Sequence, residues 1–116
     1  MPTVLCVGHA VQDFVFYVPS LPDRGEKYRA TRFESVGGGP AATAAVAIAR
    51  LGGRAVLAAR VGDDAAADMI SSELLAHGVD CGNLRRCPGG SSSASAVIVD
   101  ARGERIGQLQ HVQSGR

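Results

Sequence analysis

The sequence lacks an excess of charge of either sign, long apolar runs, paired cysteines and the glycine fingerprints of nucleotide folds. Its 116 residues carry 12 Lys+Arg against 11 Asp+Glu, a net charge of +1, so no basic field exists to hold a polyphosphate backbone, and nucleic acid is not expected as a partner. No stretch approaches the ~20 apolar residues of a spanning helix, and membrane insertion is not expected. Met-Pro-Thr followed by Val4 to Val7 has neither a basic lead nor a signal-length apolar region, which points to the cytoplasm. Cys6, Cys81 and Cys87 form no C-x-x-C pair and read as reduced thiols. His9, His77 and His111 show no metal-ligand spacing, so no structural zinc is expected. Gly8 is followed by His9, Ala10 and Val11 rather than by a second glycine, and no Gly-Lys-Ser/Thr occurs. A nucleotide-dependent oxidoreductase is thereby disfavoured.

With 46% hydrophobic and 20% charged residues the chain has the composition of one small globular domain. Val4 to Val7 reads as a strand buried on both faces, and Phe14 to Val18 as a second strand stopped by Pro19. Ser20 to Glu26 is turn-like. Lys27 to Val36 has apolar residues on neither face alone, the pattern of an exposed antiparallel strand standing off the core. Pro40 after three glycines, then Ala41 to Leu51 and Gly52-Gly53, is a helix with proline inside its start and glycine past its end. Ala55 to Val61 is a buried-type strand, and Asp63 or Asp64 caps a second helix that ends at Gly78. Asp80 to Ser93 is turn-like. Ala94 to Val99, a turn at Asp100 to Gly103 and Glu104 to Ile106 form a hairpin. Residues 107–116 read as a divergent polar tail. Strand alternating with helix makes an α/β layer.

Three features could carry chemistry. Gly37-Gly38-Gly39 entering a helix lets backbone amides approach a ligand, or is simply a tight turn into a packed helix. Asp13, five residues after Gly8, stands where α/β sheets gather ligands and could accept two hydroxyl hydrogen bonds, or could merely shape a turn. Lys27, the sole lysine, is either a solvated charge or an anion holder over that site.

Gly8 through Asp13, Lys27-Tyr28, Gly37 to Thr43 with Ala49-Arg50-Leu51-Gly52, Arg60 to Asp64 and Gly78-Val79-Asp80, in that order, resemble the N-terminal part of a PfkB-type, ribokinase-like sugar kinase. The spacing around Lys27, the Gly-Gly-Gly-Pro-Ala-Ala-Thr block, Ser95-Ala96 and Gly103 to Ile106 look most like sulfofructose kinases within that family. The resemblance spans residues 3 to about 106. It implies the N-terminal part of a three-layer αβα sandwich with a small β lid over the sugar, built from strands at about 14–18, 27–36 and 94–106. The lid would also be the contact of a homodimer. Asp13 would bind sugar hydroxyls beside the amides of Gly38 and Gly39, Thr43 stands where many relatives have a sugar-binding asparagine, and Lys27 would meet a sulfonate. The activity implied is transfer of the ATP γ-phosphoryl, with Mg²⁺, to a primary hydroxyl of a ketose such as sulfofructose or fructose. That family's Gly-Ala-Gly-Asp segment and ATP cleft are expected elsewhere, so this chain would bind no ATP itself and be inactive alone. The polar stretch after Ile106 fits a shifted reading frame. The competing reading is a non-catalytic module for lid-mediated dimerisation or ligand binding. Apolar strand faces left without covering helices would make the isolated chain marginally stable.

Overall fold

The computed structural model describes residues 2–114, apart from the side chains of residues 106–109. Its first sheet holds β1 (Thr3–Val7), β4 (Arg54–Val61) and β5 (Asp80–Arg86), all parallel in the order β1-β4-β5. Two helices, α1 (Pro40–Arg50) and α2 (Ala65–Ala76), cover one face of it. The alternation of β4 selects that face, for Ala55, Leu57 and Val61 are buried while Arg60 is exposed. Ala41, Ala42 and Ala45 of α1 are the residues that meet the sheet, small enough to bring the helix backbone close. Ala67, Ile70 and Leu74 of α2 complete the same cluster. Asp64 is the N-cap of α2 and its carboxylate accepts from the Ala67 amide at 2.9 Å.

The second sheet holds β2 (Val11–Tyr17), β3 (Arg32–Gly38), β6 (Ser93–Val99) and β7 (Arg105–His111) in the order β3-β2-β6-β7. β2 runs antiparallel to β3 and parallel to β6, and β6 turns back into β7. Asp100 ties that hairpin, accepting from the amides of Arg102 and Glu104, both at 2.9 Å. On one face Phe33 packs against Phe14 and Phe16, with ring centroids 6.2 and 5.0 Å apart, and stays 53% exposed.

Five expectations need correction. Residues 27–31 are not strand: β2 ends at Tyr17 before Pro19, so residues 27–30 have no partner across from them, and the last backbone bond joins the Thr31 amide to the Tyr17 carbonyl. β3 extends instead through Gly37 and Gly38, which pair with Gln12 and Val11 and are therefore sheet rather than turn. Residues 80–86, read as turn, form β5. Asp, Gly and Asn there have poor strand propensity, but pairing with β4 and packing of Cys81 and Leu84 on the core override it. The returning strand runs beyond Ile106 to His111, into the stretch read as polar tail, because β6 supplies a partner along its length. β1, read as buried on both faces, is not: among the described residues only one face of the β1-β4-β5 sheet carries helices, and Leu5 and Val7 remain 59% and 71% exposed.

Candidate functional site

Asp13 lies inside β2, not in a loop, and its side chain shares a face with Val11 and Val15. Parallel pairing sets Ser95 of β6 directly beside it, and the Ser95 hydroxyl donates to Asp13 Oδ1. Oδ2 is turned towards Gly38. A β-carbon at residue 38 would collide with Oδ2 and lie 3.2 Å from the carboxyl carbon, so glycine there is a condition of Asp13 keeping its position. Gly39 follows as the N-cap of α1 with φ 94°, a left-handed conformation that glycine adopts without strain. A side chain there would also strike the His9 carbonyl, which accepts from the Ala42 amide at 3.3 Å. The start of α1 is thus bound to the loop between β1 and β2. No side chain caps it and its first turn holds no acid, leaving the positive end of the helix directed at the same space.

That space is a cleft of about 470 Å³ lined by His9, Asp13, Gly39, Pro40, Ser93 and Gln110 among others. A carboxylate, a hydroxyl, a side-chain amide and an imidazole gather there on a small-residue floor. Such a set suits a small polyhydroxylated molecule, because a carboxylate can accept from two neighbouring hydroxyls at once. The sequence reading placed Asp13, Gly38 and Gly39 together, and they adjoin one another here. Thr43 is elsewhere: it is exposed on α1 and lines a separate cavity of about 130 Å³ with Gly37, Gly38, Glu73 and His77. Lys27 is exposed in the irregular segment before β3 and lines neither cavity.

His9, Ser93, Ser95 and Gln110 were not singled out as site residues. The period-two alternation Ser93-Ala94-Ser95-Ala96 does put both hydroxyls on one face of a strand, but which face meets Asp13 follows only from the β2-β6 pairing. A second polar cluster ties the end of β4 and the start of α2 to the segment that enters β6. The Asp64 carboxylate accepts from the Ser92 amide and hydroxyl at 2.9 and 2.7 Å, and the Gly62 amide donates to the Ser92 hydroxyl at 2.9 Å. Burial alone would raise the Asp64 pKa. Hydrogen bonds from the Ser92 hydroxyl, the Ser92 amide and the Ala67 amide, with the Arg86 charge, outweigh it and hold the carboxyl below its ordinary value.

A model of the pfkB family carbohydrate kinases matches residues 1–107. The ribokinase of Bacillus subtilis is 34% identical over 104 residues, 90% of this chain and 35% of that protein. The deoxyribokinase of Salmonella typhi is 30% identical over 98 residues, 84% of this chain and 32% of that protein. Among solved structures, a ribokinase-like protein of Agrobacterium tumefaciens superposes with a TM-score of 0.87 at 37% identity over 96% of this chain and 36% of its own. Arabidopsis thaliana ribokinase, solved with ribose and ATP, superposes with a TM-score of 0.81 at 25% identity over 95% of this chain and 35% of its own. The chain spans about a third of the length of the curated relatives it matches. The architecture is the ribokinase-like α/β fold.

Proposed function

The chain belongs to the pfkB family of carbohydrate kinases, and we propose on that premise that it forms the sugar-binding part of an ATP-dependent kinase acting on a primary hydroxyl of a ketose such as fructose or its sulfonated analogue. The observation that carries this reading is the Asp13 carboxylate, oriented by Ser95 and set against Gly38 at the mouth of a cleft rimmed by His9 and Gly39. Ser95 takes one acceptor position of Oδ1, and the remaining positions of the carboxylate are left to accept from sugar hydroxyls. The β3-β2-β6-β7 sheet acts as the lid over the sugar and as the face on which two copies of the chain meet.

ATP supplies the phosphoryl group to the whole enzyme, and relatives support this, since the Cryptococcus neoformans and Arabidopsis ribokinases were solved with ADP and with ATP. Among the described residues no group of three or more His, Cys, Asp and Glu side chains comes together to hold a metal ion, and these residues are not assigned to Mg²⁺. The part played by this chain is positioning. It fixes the sugar so that one hydroxyl faces the incoming phosphoryl group, and by itself it transfers none. Formation of ADP by the 116-residue chain with fructose would contradict that last point.

Isothermal titration with fructose and ribose tests the binding reading. The chain binds a sugar, and Asp13→Asn, which keeps the shape and removes the charge, weakens binding about tenfold or more, the cost of a charge-assisted hydrogen bond. Unchanged affinity in Asp13→Asn, with the fold intact by circular dichroism, would sink the assignment.

A further inference from the structure

The carboxyl ends of β1, β4 and β5 carry a second cleft, of about 410 Å³, lined by His9, Arg60, Asn83, Arg85 and Gln113 among others. Arg60 and Arg85 are register partners in the parallel β4-β5 pair, so their side chains leave the same face of the sheet, and both line this cleft. Like charges set directly across neighbouring strands repel. Four other arginines, Arg32, Arg54, Arg86 and Arg102, have acidic partners within 4 Å, whereas Arg60 and Arg85 have none among the described residues. Among the described residues no carboxylate lines the cleft. Two unneutralised guanidiniums, an imidazole and two amides around one cavity are the donor set for an oxyanion, which would turn the repulsion between the arginines into shared attraction.

This cleft shares a wall with the one at Asp13. His9 lines both, and the neighbours Val112 and Gln113 line one each. We propose that Arg60 and Arg85 form an oxyanion subsite joined to the sugar cleft, so that the sugar bound at Asp13 carries a phosphate, sulfonate or carboxylate group. The inference rests on the sugar-binding reading above and moves the anion-holding role from Lys27, which lies outside both clefts, to the arginine pair.

The test is calorimetric titration of the 116-residue chain with fructose, with each of its two monophosphates and with inorganic phosphate. The variants are Arg60→Ala, Arg85→Ala and, as a control that removes the same charge from the β6-β7 turn, Arg102→Ala. At least one monophosphate is expected to bind about tenfold or more tightly than fructose, with the advantage lost in Arg60→Ala and Arg85→Ala and kept in Arg102→Ala. Equal affinity for fructose and both monophosphates overturns the proposal, as does an advantage that survives in both cleft variants. Phosphate binding that is lost in the cleft variants, with no sugar of either kind bound, supports the subsite and overturns the sugar reading beneath it. Phosphate and sugar phosphate bound equally well, both through the arginines, overturn the claim that the anion belongs to the sugar.

Discussion

Replacing Gly38 with alanine places a methyl group against the Asp13 carboxylate, and the surroundings decide which of them yields. The backbone at residue 38 is held by pairing with Val11 and by the helix that begins at Pro40. Asp13 is held by Ser95 and by both neighbouring strands. The carboxylate is the softer partner, so it rotates away and gives up the Ser95 hydrogen bond. Overpacking of this kind costs about 1–3 kcal/mol, partly offset by the ~0.5–1 kcal/mol regained when a strand glycine becomes alanine, leaving a net loss of about 1 kcal/mol. For a domain of this size that lowers Tm by roughly 4–8 °C. Sugar affinity falls with it by about tenfold or more, because the acceptor has left its place. The double variant separates causes. In an Asp13→Ala background the clash is gone, and the stability cost of Gly38→Ala shrinks by about 1 kcal/mol or more. Calorimetric melting of the four proteins reads the cycle. The reasoning is refuted if the cost of Gly38→Ala is the same with and without the Asp13 carboxylate.

Asp64→Ala removes a helix cap and leaves the Ser92 amide and hydroxyl without their acceptor, a loss of about 2 kcal/mol in urea unfolding at neutral pH. Because the folded pKa of Asp64 lies below its ordinary value of 3.8, its contribution is full above that value and disappears as pH falls through the lower folded value. The gap between the two proteins should therefore close in strong acid, and a gap independent of pH would refute this. Gln12 is buried, with Nε2 donating to the Ser35 hydroxyl at 2.7 Å and Oε1 without a partner among the described residues. Gln12→Met should change stability by less than about 1 kcal/mol, while Ser35→Ala, which orphans a second atom, costs about 1 kcal/mol or more; the reverse order in chemical denaturation would contradict the account. If the lid mediates dimerisation, Phe33→Glu converts a dimer to a monomer in size-exclusion chromatography with light scattering, and a wild-type chain that stays monomeric at every concentration removes the proposal.

The parts legible in the sequence were those fixed by near neighbours. Pro40, the alanine run and Gly52 define α1 because propensity and end chemistry act within a few residues, and Asp64 caps α2 through a contact three residues away. The grouping of Asp13 with Gly38 and Gly39 was read from motif order and resemblance rather than from any local rule. What depended on pairing between distant segments was not legible. The start of β3 is set by where β2 stops, β5 exists because β4 offers an edge to a segment that reads as turn, and β7 continues through polar residues because β6 runs alongside. The same holds for side chains that meet only across strands. Ser95 lies 82 residues from Asp13, and Arg60 faces Arg85 only in the β4-β5 register. Local composition fixes which backbone shapes are cheap; register, a sum over many weak contacts between remote stretches, fixes which polar atoms share a cavity, and only the folded chain evaluates that sum.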